Sequence, residues 1–206
     1  MEIMNQLKNL KKISKIKLAK NDPAHDFEHI MRVYRNAEKI CKTENGNKKL
    51  ILSAVLLHDI VKIKNQKDSA IKSAKLSEKI LKENNFFDDE IKIISDAIKE
   101  HSFSKGKIPS SIEGKILQDA DRLDAIGAIG LARVFSFSGS NNRPFYDPND
   151  PFSRNRSVND NKWALDHFFE KLLTLEKKMN TKTGKILAKN RTKILKNFLK
   201  ELKSEI

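Results

Sequence analysis

Residues 52–62 have the sequence LSAVLLHDIVK, in which a histidine and an aspartate directly follow a run of apolar residues. The run begins after an Asn-Gly-Asn break at residues 45–47 and shows no alternation of polar and apolar positions. It therefore predicts a largely apolar helix over residues 48–60, at the centre of the fold. Ionisable groups cost free energy in such surroundings unless another group compensates them. His58 and Asp59 are for this reason the first candidates for a functional site.

Nearly every other segment is also predicted to be helical, because its apolar residues recur every three or four positions. The predicted helices are residues 2–20, about 24–44, 48–60, 68–84, 88–101, 112–137, 161–180 and 183–204. The helix over residues 112–137 is expected to begin with a Ser-x-x-Glu capping box at Ser110 and to bend near Gly127 and Gly130. No stretch alternates as a strand does. The sequence predicts an all-α fold, a single compact multi-helix domain over residues 1–206.

The connections between the predicted helices are marked by capping aspartates and by two loops. A carboxylate can accept a hydrogen bond from the free N–H groups of a helix's first turn. The candidate caps are Asp22, followed by Pro23, then Asp68, and either Asp88 or Asp89. Residues 102–110 and residues 138–160 are predicted loops. The second is long and rich in Pro, Asn, Asp, Ser and Arg, and a loop of that length in a compact domain is more often functional than idle.

The composition excludes several classes of protein. A chain of 206 residues can bury one good core, and no apolar run approaches the ~18 residues of a membrane span. Residues 1–20 lack the apolar segment and cleavage site of a signal peptide. The single cysteine, Cys41, excludes an internal disulfide framework and a cysteine-rich zinc site. We therefore expect a cytoplasmic protein with no membrane partner.

The formal net charge of +14 raises the question of a nucleic-acid partner. The surplus lies in residues 1–50 and 171–206, whereas residues 51–170 carry 18 basic and 18 acidic residues. It consists mostly of lysines at helical spacing, which is typical of solvated faces. A nucleic-acid surface more often combines arginines with interleaved aromatic residues. We expect no nucleic-acid partner, although the basic ends can attract a polyanionic substrate.

Two further segments place polar residues among apolar ones. His29 lies on the helix predicted over residues 24–44, and residues 116–133 have the sequence ILQDADRLDAIGAIGLAR. Asp121 and Asp124 are three residues apart and share a helical face. Imidazoles and carboxylates that converge from separate helices, without thiolates, suit Mn²⁺, Mg²⁺, Fe²⁺, Co²⁺ or Zn²⁺. The ligand types do not choose among these ions, and Mn²⁺ is our first expectation for the cofactor.

These residues and their surroundings resemble the HD-domain superfamily of metal-dependent phosphohydrolases. The family's order of His, His-Asp and Asp is matched here by His29, His58-Asp59 and Asp121. The flanking segments are similar to those of a small stand-alone bacterial group of HD hydrolases. They are AHDFEHIMRVYRNA (24–37), LLHDIVK (56–62), KEHSFS (99–104), DADRLDAIGAIGLAR (119–133) and HFFEKLLTLEKKMNT (167–181). The resemblance runs from about residue 21 to the C-terminus.

The resemblance implies both a metal site and a substrate class. In the family, two histidines, the aspartate of the pair and a later aspartate bind the metal. The corresponding residues are His29, His58, Asp59 and Asp121. Asp121 is preferred to Asp119 and Asp124 because family members place the ligand second in an Asp-x-Asp step, followed by a basic residue. The branch is similar to nucleoside triphosphate pyrophosphohydrolases, which implies a nucleotide substrate.

The remaining candidate residues follow from the chemistry of a phosphoryl substrate. The metal lowers the pKa of a bound water, and the metal and nearby cations neutralise the negative charge of the phosphoryl group. Arg122, next to the last ligand, is the leading candidate for phosphate binding, and Arg133 is a second. Lys62, one helical turn beyond the His-Asp pair, is a further cation counted with the catalytic residues. His101 is expected to transfer a proton or to contact a second metal or phosphate. Asp124 is expected to orient a ligand histidine or a water.

Several alternatives stay open at this point. Arg122 could instead form a structural ion pair with Asp119 or Asp124. The leading function is hydrolysis of a nucleoside triphosphate to monophosphate and pyrophosphate. The alternatives are a phosphomonoesterase or a cyclic phosphodiesterase on the same scaffold, and a non-catalytic module that binds nucleotides or RNA. The sequence is compatible with a monomer and with a homodimer.

Overall fold

The computed structural model describes residues 2–19, 26–61, 69–102 and 107–206. These residues form helices, turns and loops with no β-strand, which confirms the predicted all-α fold. The helices in these ranges are α1 (Glu2–Leu18), α2 (Phe27–Cys41), α3 (Lys48–Leu57), α4 (Ser69–Glu83), α5 (Asp88–Glu100), α6 (Ile112–Asp124), α7 (Gly127–Ser140), α8 (Asp166–Glu170) and α9 (Lys182–Glu205). None of them is both long and apolar enough to cross a bilayer.

Contacts divide the chain into two compact units, Met1–Asp121 and Arg122–Ile206, with the division inside α6. The first unit is built around α3, which packs against α1, α2 and α5, while α4 packs on α5. Every side chain from Leu50 to Leu57 is buried, which confirms the predicted central helix. Burying one such aliphatic side chain stabilises the fold by roughly 1.5–3 kcal/mol. The interpretation of residues 1–206 as one domain stays a prediction.

The start of α5 differs from the prediction. The sequence predicts Asp88 or Asp89 as the cap, but both lie in the first turn of the helix, which begins after Phe87. The backbone N–H of Phe87 donates to a carboxylate oxygen of Glu90 at 3.2 Å. A carboxylate at the third helical position can fold back in this way onto a free N–H group. The acidic residues of this turn are also favoured by the positive end of the helix dipole.

The capping residue of α6 also differs from the prediction, by one position. Ser111 rather than Ser110 caps the helix, because its Oγ accepts the N–H of the residue three positions on, at 3.0 Å. The N–H and Oγ of Ser110 donate instead to Glu100, at 2.8 and 3.0 Å. Glu113 accepts the backbone N–H of Asn47 at 3.0 Å. The predicted capping box is therefore wrong in its partners, although the helix begins where it was expected.

The predicted helix over residues 112–137 is two helices, since the chain breaks between α6 and α7 at residues 125–126. Gly127 has a φ of +79°, a left-handed conformation that glycine adopts without strain. Gly130, in the first turn of α7, lies so close to Ala125 that an added Cβ would be 2.2 Å from the carbonyl oxygen of Ala125. The bend expected at these glycines is thus a complete break.

The predicted helix over residues 161–180 is wrong for most of its length. Only Asp166–Glu170 is α-helical, and two 3₁₀ turns, Leu172–Thr174 and Glu176–Lys178, follow it. The backbone N–H of Ala164 donates to the carbonyl of Pro144 at 2.9 Å. The N–H of the next residue, Leu165, donates to the carbonyl of Phe145 at 2.8 Å. These backbone groups are used by the loop and are not available to a longer helix.

The last helix agrees closely with the prediction of residues 183–204. It starts after Thr181, whose hydroxyl accepts a hydrogen bond from the first turn at 2.9 Å. Within the second unit α9 packs against α7. Phe198 of α9 lies 5.6 Å from the ring centroid of Phe135 and 5.7 Å from that of Phe168. Aromatic pairs at these distances add to the free energy gained by burying their area.

The predicted long loop between α7 and α8 is confirmed, and a buried carboxylate holds it. Asp166 accepts two hydrogen bonds from Arg156, at 2.6 and 2.8 Å. It also accepts the backbone N–H of Asn159 at 2.6 Å and the hydroxyl of Ser153 at 3.0 Å. The loop is therefore an ordered element with a polar anchor.

Some sequence predictions concern residues outside the described ranges. They are the caps Asp22 and Asp68, the helix-starting Pro23 and the candidate Lys62. Of the predicted loop over residues 102–110, residues 102 and 107–110 are described and are not helical.

Candidate metal centre

The first candidate ligand is held at the start of α2. The helix begins after Asp26, whose carboxylate accepts the backbone N–H of His29 at 2.8 Å. The side chain of His29 lies on the buried face of α2, together with Val33, Asn36 and Ile40. Helical spacing thus turns this imidazole towards the interior of the first unit.

The second candidate ligand stands at the C-terminal end of α3. His58 is fully buried, and its Nδ1 lies 2.8 Å from the carbonyl oxygen of Val55. A carbonyl only accepts, so Nδ1 carries the proton and the lone pair is on Nε2. Burial lowers the pKa of His58 despite the opposing attraction of Asp59, so the ring is neutral at pH 7. Among the described residues its Nε2 has no hydrogen-bond partner.

Two carboxylates meet these imidazoles. Asp121 Oδ1 lies 3.5 Å from His29 Nε2 and 4.0 Å from His58 Nε2. Asp59 Oδ2 lies 4.0 Å from His29 Nε2. The histidines are 2% exposed or less, whereas the side chains of Asp59 and Asp121 are 25% and 30% exposed. The cluster therefore has a buried imidazole floor and an open carboxylate side.

The cluster fits a divalent metal ion. Ligand atoms about 2.1 Å from an ion and 90–110° apart lie roughly 3.0–3.4 Å from one another. The observed separations of 3.5 and 4.0 Å are only slightly longer. A buried imidazole nitrogen without a hydrogen bond needs such a partner, and the combination of neutral imidazole with carboxylate suits ions that bind nitrogen and oxygen. His29, His58 and Asp121 form one group whose donor atoms all lie within 4.8 Å.

His101 extends the cluster on its other side. It stands at the C-terminal end of α5, and its Nδ1 lies 2.6 Å from the carbonyl oxygen of Ile98. Its ring meets that of His58 edge-on at a centroid distance of 5.0 Å. His58, Asp59 and His101 form a second group with donor atoms within 4.8 Å of one another. This candidate residue therefore lies beside the proposed ligands.

The remaining described candidates belong to the second unit and are engaged there. Arg122 is buried, and its guanidinium donates to the carbonyl of Lys178. Arg133 Nη1 lies 2.8 Å from Asp124 Oδ2, in a pair whose carboxylate is buried. Asp124, one of the two carboxylates considered as a partner of Arg122, pairs with Arg133. Phosphate binding by Arg122 and Arg133, and a catalytic role for Asp124, stay predictions.

Sequence reasoning missed two buried amides next to the cluster. Asn36 Nδ2 donates to the carbonyl of Ala120 at 3.0 Å, immediately before Asp121. Gln118 is fully buried three residues before Asp121 and donates to the end of α5. Both residues interrupt otherwise apolar helix faces, and Asn36 lies two turns after His29 on the same face. This interruption is the signal that could have identified them.

Comparison with known proteins points to one family. The chain matches the family model of the HD domain over residues 26–126, which include all five clustered residues. The Bacillus subtilis protein YpgQ is 33% identical over 211 residues, which cover 97% of this chain and 96% of the relative. The similarity therefore extends over nearly the whole length of both chains.

Solved structures show the same likeness. The crystal structure of Bacillus subtilis YpgQ in complex with ADP matches with a TM-score of 0.81 at 31% identity, covering 100% of this chain and 97% of that one. An HD-superfamily hydrolase from Bacillus thuringiensis matches with a TM-score of 0.80 at 32% identity, covering 98% and 97%. At this level of identity the similarity reaches beyond the fold to the family.

Proposed function

The chain belongs to the HD superfamily of hydrolases, and on that premise we propose that it hydrolyses a nucleoside triphosphate to monophosphate and pyrophosphate at a divalent metal ion. The observation that carries the proposal is the convergence of two imidazoles and two carboxylates from α2, the end of α3 and α6. The proposed ligands are His29, His58, Asp59 and Asp121. Mn²⁺ is the proposed ion.

The nucleotide substrate is supported by a relative. Bacillus subtilis YpgQ, whose sequence is 31% identical to this chain, has a crystal structure in complex with ADP. A nucleoside diphosphate carries the anionic phosphates that a metal and nearby cations attract. The surplus of lysine at both ends of this chain adds a long-range attraction for such anions.

The mechanism follows from what each side chain can do. When bound, a divalent ion makes water more acidic and draws charge from a phosphoryl group. His58 contributes a fixed Nε2 lone pair, because its Nδ1–H is held by the carbonyl of Val55. Asp59 and Asp121 stand on the exposed side, where they can orient the attacking water. His101 has its Nδ1 engaged by Ile98, so Nε2 can accept a proton from that water or return it to the leaving group.

The cations have proposed roles around the substrate. Arg122 and Arg133 are proposed to contact phosphate, and Lys62 is proposed to add positive charge beside the reacting group. Asp124 is proposed to orient a neighbouring group through its hydrogen bonds. Since Arg133 already pairs with Asp124 at 2.8 Å, phosphate binding by this arginine requires a guanidinium that serves both anions.

A panel of nucleotides tests the proposal. Purified protein is incubated with each nucleotide and with Mn²⁺, Mg²⁺, Co²⁺, Fe²⁺ or Zn²⁺ in turn, and the products are separated by ion-exchange chromatography. We expect monophosphate and pyrophosphate from a triphosphate, with the reaction abolished by a chelator. Orthophosphate from a monoester, or opening of a cyclic phosphate, would replace the proposed reaction by one of its alternatives. Salt-sensitive RNA binding that survives His58→Ala, without turnover, would indicate a binding module.

A further inference from the structure

Gln118 is a fully buried polar side chain of α6 to which the proposed mechanism gives no role. Its Nε2 lies 3.3 Å from the carbonyl oxygen of Glu100, 3.2 Å from that of His101 and 3.0 Å from that of Lys107. An amide nitrogen carries two hydrogens, so three carbonyls share them. A buried amide is retained at a helix interface only where such partners compensate its lost hydration.

These hydrogen bonds join the end of α5 to α6. Glu100 is the last residue of α5, and His101 is its C-terminal cap. Lys107 lies five residues before the start of α6. One amide group thus fixes both sides of this connection. Gln118 and Asp121 are three residues apart on the same face of α6, so the tie lies next to a proposed ligand.

The fixed backbone determines how the ring of His101 is presented. Its Nδ1 lies 2.6 Å from the carbonyl oxygen of Ile98, a bond within the last turn of α5 that requires this turn to stay closed. Gln118 holds the end of this turn through the carbonyls of Glu100 and His101. With Nδ1 engaged, Nε2 is the nitrogen left for the cluster, where the ring meets His58 at 5.0 Å.

We infer that Gln118 is a positioning residue that fixes the tautomer and orientation of His101, and that it acts on the reaction only through His101. The kinetic part of this inference rests on the proposed function, whereas the tautomer does not. We expect the two imidazole ligands to keep their places without Gln118, because Asp26 accepts the backbone N–H of His29 and the carbonyl of Val55 engages Nδ1 of His58.

Glu100 offers a matched control, which separates a specific effect of Gln118 on His101 from a general destabilisation of the segment between α5 and α6. Glu100 ties the same segment from its exposed side, where its carboxylate accepts Lys107 Nζ and the N–H of Ser110, both at 2.8 Å. Glu100→Gln weakens these bonds and leaves the three carbonyls of the Gln118 tie in place. A variant of Gln118 should change His101, whereas Glu100→Gln should not.

The direct test is the imidazole ¹⁵N spectrum of His101, assigned with His101→Gln. In the wild type we expect a protonated Nδ1 and an unprotonated Nε2. Gln118→Met and Gln118→Leu both remove the donor, and in either we expect the ¹⁵N signals to shift towards a mixture of tautomers, with the spectrum retained in Glu100→Gln. A folded Gln118 variant with unchanged His101 signals overturns the inference. A wild-type ring protonated on Nε2 overturns it without any variant.

The kinetic test is a double-mutant cycle at saturating metal. In Gln118→Met we expect kcat to fall roughly 10- to 100-fold, with KM and metal uptake nearly unchanged. The variant with both Gln118→Met and His101→Ala should be no slower than His101→Ala alone, because both changes remove one function. Additive losses would assign Gln118 a separate role and refute its action through His101. If the wild type turned over no nucleotide, the proposed function would fail, and the ¹⁵N spectra would still decide the role of Gln118.

Discussion

Helix ends orient two of the three buried imidazoles of the cluster. His58 and His101 each stand at the C-terminus of a helix and hold the carbonyl three residues earlier through Nδ1, at 2.8 and 2.6 Å. A carbonyl that only accepts places the proton on Nδ1 and leaves Nε2 as a lone pair. A backbone carbonyl is one of the partners that metal-ligating histidines commonly use for this purpose. The last turn of α3 is thus enough to orient a ligand.

The most direct prediction at this scale concerns Asp59. We expect Asp59→Ala to abolish turnover and to lower metal uptake at least 10-fold, because it removes one of the two carboxylates that balance the charge of the ion. The helical circular dichroism should be retained, since Asp59 is partly exposed. Isothermal titration with Mn²⁺ measures the uptake. Asp89→Ala, at an exposed site in α5, is the control, and normal turnover in Asp59→Ala would remove the metal from the mechanism.

Arg122 makes a structural contact and has a proposed role in phosphate binding, and the two can be separated. Its guanidinium is buried and donates to the carbonyl of Lys178, so Arg122→Ala should lower the free energy of unfolding by about 1–3 kcal/mol. If Arg122 also binds phosphate, KM for the nucleotide should rise about 10-fold or more with metal uptake retained. Urea unfolding and steady-state kinetics measure the two effects. Lower stability with unchanged kinetics would leave Arg122 a structural residue.

The sequence identified some members of the candidate cluster and missed the buried amides beside it. His29, His58, Asp59 and Asp121 are conspicuous because they place ionisable groups in apolar helices, and the fold brings them together. Asn36 and Gln118 were missed because their partners are backbone carbonyls, whose positions depend on the packing of α2 and α5 against α6. No side-chain pattern encodes those positions.

At the scale of elements, the break between α6 and α7 makes a specific prediction for glycine. Gly127→Ala places a Cβ at a φ of +79° and about 3.1 Å from the side chain of Arg191, so it should lower the free energy of unfolding by about 1–2 kcal/mol. Gly139→Ala is the matched control in the same helix, where an added Cβ meets nothing within 4 Å. It should be neutral or stabilise by up to about 1 kcal/mol. Urea unfolding of both variants decides, and equal effects would contradict the strain argument.

The anchor of the long loop predicts a pH dependence. Burial raises the pKa of Asp166, but hydrogen bonds from Arg156, Asn159 and Ser153 outweigh it and hold this pKa below the usual range. The stabilisation is therefore present above the unfolded pKa of about 3.9 and is lost as the pH falls through the folded pKa. Asp166→Asn should cost about 3 kcal/mol at pH 7 and progressively less in acid.

Urea unfolding between pH 7 and pH 3 measures this effect. The control is Asp147→Asn, which removes another carboxylate beside the same arginine, at 3.3 Å from Arg156 Nε. Because that pair is partly exposed, it should cost less than about 1 kcal/mol. A cost for Asp166→Asn that stays constant down to pH 3 would contradict the assignment.

Prediction of the elements succeeded where local patterns dominate. The apolar run of α3 and the regular spacing of α9 are encoded within one stretch each, and both helices are found where they were expected. The helix predicted over residues 161–180 failed because its first residues pair with residues 144 and 145, far earlier in the chain. Hydrogen bonds of that kind depend on a loop that periodicity does not describe.

At the scale of the whole molecule, the clustered residues and the other described candidates fall into different units. All five residues of the cluster belong to Met1–Asp121, while Arg122, Asp124 and Arg133 belong to Arg122–Ile206. The match to the HD family model, residues 26–126, covers most of the first unit and ends just inside the second. The four proposed metal ligands therefore all belong to the first unit.

This division predicts where a metal ion stabilises the chain. An ion that binds the native state at 100 times its Kd adds about 2.7 kcal/mol to the stability of the structure that holds it. Since the proposed ligands come from α2, the end of α3 and α6, Mn²⁺ should slow amide hydrogen exchange most in α2 and α3, and least in α9. Mass spectrometry of peptides with and without Mn²⁺ measures this, and His58→Ala should lose the effect. Equal protection in α9 would show that the two units unfold together, and protection that persists in His58→Ala would place the ion elsewhere.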